Sequence, residues 1–335
     1  MNTEWLRQTK ERKIAILNQV SNATGLSPNA VEKDWWVTLT LFCCFNQEYS
    51  EHIVFKGGTS LSKGWNLIER FSEDIDLAID RKFFGFDGDI SKSQINKLRK
   101  NSCAFITKVF VSDLKNHFTN QKAMDECEVK AKETKESDRD PQVIEIDYDS
   151  AIEKSEYLPS RVLVEVSSRS LIEPTEDREI NSLIGETYKD QSFSTKSFKI
   201  PTVLPQRTFL EKILLLHEIF SLEDIKQKSE RLSRHLYDLE KLMDTEFGKT
   251  ALKDDNLFVQ IVNHRKIFNA IRGLDYSNHV KGRIRIVPPD KVIKEWEKDY
   301  NLMRGNMIYG KSLDFSDLLK RIKELQDKVN ETGSK

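Results

Sequence analysis

The sequence predicts an α+β protein in two parts, a sheet-containing segment over residues 1–203 and an all-helical segment over residues 204–335. Three observations carry that expectation. Short apolar runs in the first part, such as Ile53-Val54-Phe55 and Val162-Leu163-Val164, have strand length and strand composition. Pro201 and Pro205 punctuate the chain where the pattern changes. Beyond them almost every stretch repeats its apolar residues with helical spacing.

Taken in order, residues 5–20 place Leu6, Ile14, Ile16, Leu17 and Val20 among charges and predict a helix. Ser27-Pro28 is a helix start, serine as cap and proline in the first turn. That helix runs through Val31, Trp35, Leu39 and Phe42 and is apolar enough to cross a core. Ile53–Phe55 reads as a buried strand entering the Gly57-Gly58 turn, and residues 59–66 as a short helix. Residues 74–80 alternate aspartate with isoleucine and leucine, as a strand with one wet face does. Residues 92–119 read as helical. Residues 121–141 are highly charged and read as an exposed insertion. Strands are expected at 143–148 and 161–166, with a weaker one at 198–204. Helices follow at about 206–220, 227–246, 255–272, 289–308 and 314–331.

Bulk composition narrows the function. The 335 residues are 38% hydrophobic and 32% charged, with a net charge of −1, so any nucleic-acid binding must use a local patch. The four cysteines, Cys43, Cys44, Cys103 and Cys127, form no metal-binding spacing and read as reduced thiols. The first residues have no apolar signal core and no stretch is long enough to span a bilayer, so the expected location is cytoplasmic, with no membrane partner.

The chemistry concentrates between Gly57 and Asp76. Asp74 and Asp76 are two apart, which on a strand puts both carboxylates on one face. Two carboxylates so placed can hold a hard cation, with substrate phosphates completing its shell. Alone, such a pair is more often a solvated strand edge. Here Gly57-Gly58 stands upstream, after a strand and before a helix. Paired glycines let a phosphate approach the backbone closely. Thr59, Ser60, Lys63 and Ser72 add polar groups nearby. Glu165, alternating against Val162, Val164 and Val166, is a third carboxylate candidate; pairing with Arg161 or Arg169 is the equal alternative. Lys212 lies in an otherwise apolar helix and must snorkel, pair or serve a site; a pair with Glu211 or Glu218 is its plainer reading. Asp238 shares a helix face with Arg234 and Arg231, which by itself reads as a surface ion-pair ladder.

The run Phe55-Lys56-Gly57-Gly58-Thr59-Ser60-Leu61-Ser62-Lys63, followed by Arg70-Phe71-Ser72-Glu73-Asp74-Ile75-Asp76-Leu77, resembles the first motif of the AbiEii/AbiGii toxin group of polymerase β-like nucleotidyltransferases. Val31–Val37, Arg207–Lys212, Arg234–Leu239, and Asp299–Met303 with Met307–Gly310 and Phe315 resemble its further motifs. The resemblance implies a nucleotidyltransferase mixed-sheet core with a helical C-terminal domain. It implies the toxin of a toxin–antitoxin or phage-defence system, with a separately encoded antitoxin. It implies transfer of a nucleotide from an NTP to RNA, including tRNA 3′ ends, with Mg2+ or Mn2+. Asp74 and Asp76 would then be metal ligands, with Lys212 and Asp238 essential site residues.

An RNA acceptor needs a basic surface, and Arg265, Lys266, Arg283 and Arg285 mark the densest candidate stretch, weighed against a merely solvated helix and loop. Two other readings remain: a nucleotidyltransferase acting on a protein or small molecule, and a non-catalytic NTP-binding toxin.

Overall fold

The computed structural model describes residues 1–133, 140–153, 155, 157–169, 172, 174–222 and 230–331. The chain forms two compact units: Met1–Asn66 with Phe71–Val203, and Leu67–Arg70 with Leu204–Lys335. The second unit thus takes four residues from the middle of the N-terminal segment.

The first unit begins with helices α1 (Lys10–Thr24) and α2 (Pro28–Phe45). The Ser27 hydroxyl accepts the Ala30 N–H at 3.3 Å and Pro28 fills the first turn, the start expected from sequence. Then come β1 (Ile53–Lys56), the short turn α3 (Gly57–Thr59) prolonged by a π-helical turn over Ser60–Gly64, and β2 (Asp74–Ile79). Helices α4 (Lys92–Phe105) and α5 (Val111–Asn120) are joined by a second π-helical turn over Ile106–Phe110. Strands β3 (Cys127–Ala131), β4 (Gln142–Tyr148), β5 (Arg161–Ser167) and β6 (Thr175–Ile180), helix α6 (Leu183–Thr187) and β7 (Phe198–Val203) complete the unit.

The seven strands make one mixed sheet in the order β3-β4-β5-β2-β1-β7-β6. The β2–β5 and β1–β7 pairs are parallel and the others antiparallel. Alternation sorts the faces: Val162, Val164 and Val166 of β5 and Ile144 and Ile146 of β4 are buried, while the residues between them are half-exposed. Helix α2 packs on β5 and β2 and carries Trp35 and Trp36, the latter stacked on Tyr148 at 5.0 Å.

Two expectations change here. The charged stretch 121–141 is not only an insertion: Cys127–Ala131 pairs with β4, and its one buried residue, Val129, explains why no apolar signal marks it. Residues 134–139 of that stretch lie outside the described residues. Strand β6 was not expected at all. Thr-Glu-Asp-Arg-Glu-Ile is polar because β6 pairs only with β7 and forms an edge of the sheet.

The second unit is helical throughout: α7 (Pro205–Ser221), α8 (Arg234–Met243), α9 (Glu246–Lys253), α10 (Asp255–Phe268), α11 (Ile293–Asn306) and α12 (Phe315–Glu331). The helix expected over 227–246 is α8 preceded by a turn, and residues 223–229 lie outside the described residues. Leu210, Ile213, Leu214 and Leu216 of α7 and Leu236, Leu239 and Leu242 of α8 build its core. Among the described residues no helix is long and apolar enough to cross a membrane, and the four cysteines are free thiols.

Candidate active site

In the N-terminal unit the strand register gathers the acidic residues. Asp76 on β2 lies opposite Lys56 on β1 and opposite Glu165 on β5. Residues paired in register share a face, so Lys56, Asp76 and Glu165 form a row across three strands, with Asp74 two residues along β2 on the same face. These side chains are half-buried, whereas Ile75 and Leu77 face the core. Arg161 lies 3.6 Å from Glu145 and Arg169 pairs with Asp140 at 2.9 Å. Sequence reasoning passed over Lys56, although its place between an apolar strand and two glycines was a usable signal.

Gly57 explains why this row needs a glycine beside it. Its φ is +76°, and a Cβ there would lie 1.8 Å from Asp76 Oδ2 and 2.9 Å from Asp76 Cβ. The Asp76 side chain occupies the space that any other residue at 57 would fill.

The hydroxyls after the glycines serve the fold. Thr59 Oγ1 donates to Ser72 Oγ at 2.9 Å and lies against the Asp74 carbonyl, tying the turn to the strand entry. Ser60 donates to the Gly57 carbonyl at 2.8 Å, and Thr59 and Ser60 are fully buried. The Lys63 ammonium sits 2.5 Å from Asp34 Oδ1, while Asp34 Oδ2 accepts the Leu183 N–H at 2.8 Å. One residue earlier, Lys33 donates to Glu73 at 2.6 Å and to the Pro159 carbonyl at 3.2 Å. Adjacent residues of α2 therefore hold the end of the glycine turn and the approach to Asp74. Glu32 completes a run of three buried charges, accepting from Ser150 at 2.5 Å and the Ala151 N–H at 2.8 Å; burial raises its carboxyl pKa. Three consecutive charges inside an apolar helix were legible in sequence as part of the Val31–Val37 motif, without their partners.

In the helical unit, Lys212 and Asp238 meet. Lys212 Nζ is 3.0 Å from Asp238 Oδ2 and 3.3 Å from His235 Nδ1. Asp238 is fully buried, so it is no surface ladder, and Arg70 grips it with two bonds, Nε to Oδ1 at 2.7 Å and Nη2 to Oδ2 at 2.8 Å. Burial alone would raise the Asp238 pKa; Arg70 and Lys212 outweigh it and hold the carboxyl well below its usual range. Burial lowers the Lys212 pKa, with Asp238 opposing and Arg70 and Arg234 adding to the fall. The group Arg70, Lys212 and Asp238 carries two positive charges on one carboxylate.

The C-terminal motif, opaque in sequence, positions this cluster. Tyr309 and Gly310 donate their N–H groups to the Glu69 carbonyl at 3.1 and 3.3 Å, and Ile308 bridges Arg70. A Cβ on Gly310 would meet the Glu69 side chain at 2.1 Å, so glycine permits the approach. Asp299 accepts the N–H groups of Arg231 at 2.6 Å and Ser233 at 2.9 Å, fixing the turn that leads into the helix that carries Asp238.

Of the basic candidates, Arg265 is spent: its guanidinium pairs with Glu218, Nε to Oε1 at 2.8 Å. Lys266, Arg283 and Arg285 are exposed.

Among the described residues no three His, Cys, Asp or Glu side chains form a ready metal cage. Magnesium needs no such cage, being held by one or two carboxylates together with substrate phosphates. Asp74 and Asp76, oxygen donors two apart on one strand, fit that donor set.

No curated protein matches the sequence. Among solved structures, MenT4, a nucleotidyltransferase toxin from Mycobacterium tuberculosis H37Rv, is similar in fold at 16% identity and a TM-score of 0.50, over 98% of this chain and 100% of that one. The family model for the nucleotidyl transferase AbiEii toxin of type IV toxin–antitoxin systems matches residues 40–321. The match covers most of the chain and both motif regions, and the chain belongs to this AbiEii family of nucleotidyltransferase toxins.

Proposed function

We propose that the protein transfers a nucleotide from an NTP to an RNA acceptor, the 3′ end of a tRNA, using Mg2+ or Mn2+, and that a separately encoded antitoxin restrains it. The row Asp76–Glu165, with Asp74 beside it and the Asp76 carboxylate packed on Gly57, is the observation that supports this most.

Asp74 and Asp76 would hold the cation, which when bound supplies positive charge to the NTP phosphates. Glu165, in register with Asp76, either accepts the proton of the acceptor hydroxyl or would complete a second metal site as a third metal ligand. The hydroxyl oxygen forms a bond to the α-phosphorus as the bond to pyrophosphate breaks. Gly57, Gly58 and the turn that follows lie against the β- and γ-phosphates. Thr59, Ser60 and Ser72 fix the turn's shape, and Lys63 is kept beside it by Asp34. In the helical unit Lys212, paired with Asp238 at 3.0 Å, is the cation available to neutralise phosphate charge.

The test is label transfer from each α-labelled NTP to total RNA with Mg2+, beside Asp74→Ala/Asp76→Ala. Label in a tRNA-sized band that requires both carboxylates is the expected result. Label in protein or small molecules instead would overturn the RNA acceptor, and no label anywhere would overturn the transferase chemistry.

A further inference from the structure

The helical unit contains a cavity of about 430 Å3 that the proposed chemistry does not use, lined by His217, Asn278, Arg283, Arg285, Gln326 and Asn330 among others. Its volume falls within the range of small-molecule sites. Among the described residues no carboxylate lines it.

Its wall is an irregular segment, residues 282–287, whose backbone N–H groups are held by side chains rather than by a sheet. Asn330 Oδ1 accepts from Gly282 at 3.0 Å and Ile284 at 2.9 Å. Gln326 Oε1 accepts from Ile286 at 2.8 Å and Val287 at 3.3 Å. His217 Nδ1 accepts from Arg285 at 3.1 Å. Burial and the neighbouring His279 lower the His217 pKa to about 4, so the ring is neutral at pH 7 and its Nδ1 is free to accept.

The segment alternates as an extended chain does. Ile284 and Ile286 are buried, and Arg283 and Arg285 stand exposed at the cavity. Burying two isoleucines accounts for fixing the segment. It does not account for two arginines two residues apart, neither in an ion pair among the described residues. Arg283 spends one N–H on the Asn278 side-chain oxygen at 3.2 Å, and the Asp275 carboxylate feels its charge without forming an ion pair with it. Two guanidinium forks exposed at one cavity can both reach an anion seated there, and phosphate is the anion whose geometry they match.

We propose that this cavity is a phosphate-binding site, distinct from the sheet carboxylates and from the Lys212–Asp238 cluster. Two sources offer the same chemistry, a backbone phosphate of a polynucleotide or the phosphate of a mononucleotide.

The test uses the full chain and Arg283→Gln/Arg285→Gln, which alters only exposed side chains; circular dichroism verifies its fold. Inorganic phosphate, AMP and a short single-stranded RNA are titrated by calorimetry into both proteins. The double variant is expected to lose one phosphate site per chain, or to bind at least tenfold more weakly. Asn330→Ala, which loosens the segment but keeps both charges, is expected to weaken binding by a smaller factor. If the site takes a polynucleotide, RNA binds more tightly than AMP. The salt dependence of RNA binding then falls by about 1.4 in logarithmic slope in the double variant, two phosphate contacts at about 0.7 each. If AMP binds as tightly as RNA, the source is a mononucleotide. Phosphate stoichiometry and affinity equal in wild type and double variant would overturn the site, as would failure of all three probes to bind the wild type.

Discussion

The N-terminal unit and the helical unit both bury lysines against carboxylates, with different charge counts. In the first, Lys33 meets Glu73 and Lys63 meets Asp34, two cations for two carboxylates. In the second, Arg70 and Lys212 converge on the single carboxylate of Asp238. A matched buried pair fixes geometry and offers little to a ligand, because each charge is already answered. Around Asp238 burial chiefly lowers the Lys212 pKa, and the charges of Arg70 and Arg234 add a repulsion to it. Phosphate would relieve it. The N-terminal pairs thus read as staples around the glycine turn, and the helical cluster as a charge reserve.

The largest effect is expected at Asp238, which Arg70 and Lys212 share. Asp238→Ala leaves two cations buried without their shared carboxylate and should cost about 3–5 kcal/mol of stability. Denaturant unfolding measures it, and nucleotide transfer should be lost in the folded fraction. A cost below 1 kcal/mol would show that the cluster relaxes into water and is no charge reserve. Lys33→Met alone should approach the same cost, but Lys33→Met/Glu73→Leu should cost less than either single change, since apolar groups replace a buried pair at little net expense. Additive losses would show that the pair is not a unit and would erase the contrast between staple and reserve.

Acid should separate the two units next. His217 and His235, both in the helical unit, have pKa values lowered chiefly by burial. For a base so shifted, the unfolded chain takes the proton first. Stability is therefore lost as pH falls from about 6.5 toward the folded value, about 4 for His217. His217 alone contributes on the order of 3 kcal/mol at the bottom of that window. Glu32 and Glu186, in the N-terminal unit, have pKa values raised by burial. Their folded forms bind the proton more readily, so their contribution grows as pH falls and is lost as it rises through the folded values. Hydrogen exchange at pH 7 and pH 5 should show protection falling on α7 and α8 while α2 holds. His217→Gln should flatten part of the fall. Equal loss in both units would contradict this assignment.

What the sequence revealed depends on how local each signal is. The Asp74/Asp76 face follows from alternation within six residues, and Glu165 from alternation within its own strand. The glycine turn was legible for the same reason. Partner choice was not. Lys33 finds Glu73 across 40 residues, and Arg70 finds Asp238 across 168, and no periodicity encodes either. The local reading of Asp238, a ladder with Arg234 and Arg231, failed because spacing does not report burial. Charge density likewise singled out Arg265 without seeing that Glu218, on another helix, consumes it. Strand β6 escaped because an edge strand with exposed polar residues carries no apolar alternation.

One glycine in each unit offers the finest comparison. Gly57 and Gly310 both lie against an acidic side chain, Asp76 at 1.8 Å and Glu69 at 2.1 Å from an added Cβ. They differ in backbone: Gly57 has φ +76°, a conformation that costs an alanine about 1–2 kcal/mol before any contact is counted, and Gly310 carries no such penalty. Gly57→Ala must therefore bear both strain and the displacement of Asp76, for a loss of about 1–3 kcal/mol. Gly310→Ala bears no such strain, but its Cβ would meet Glu69 Cβ at 2.4 Å, nearer than the 2.9 Å to Asp76 Cβ, so the backbone there must yield and the two losses should be of similar size. In transfer assays a gap should open with Gly57→Ala the worse, because it moves a proposed metal ligand, whereas Gly310→Ala disturbs Arg70 only through the Glu69 backbone. If Gly310→Ala were the more damaging of the two, the placement of Arg70 by the 308–310 segment would matter more than the carboxylate row. The helical cluster, rather than the sheet, would then be the more demanding part of the chemistry.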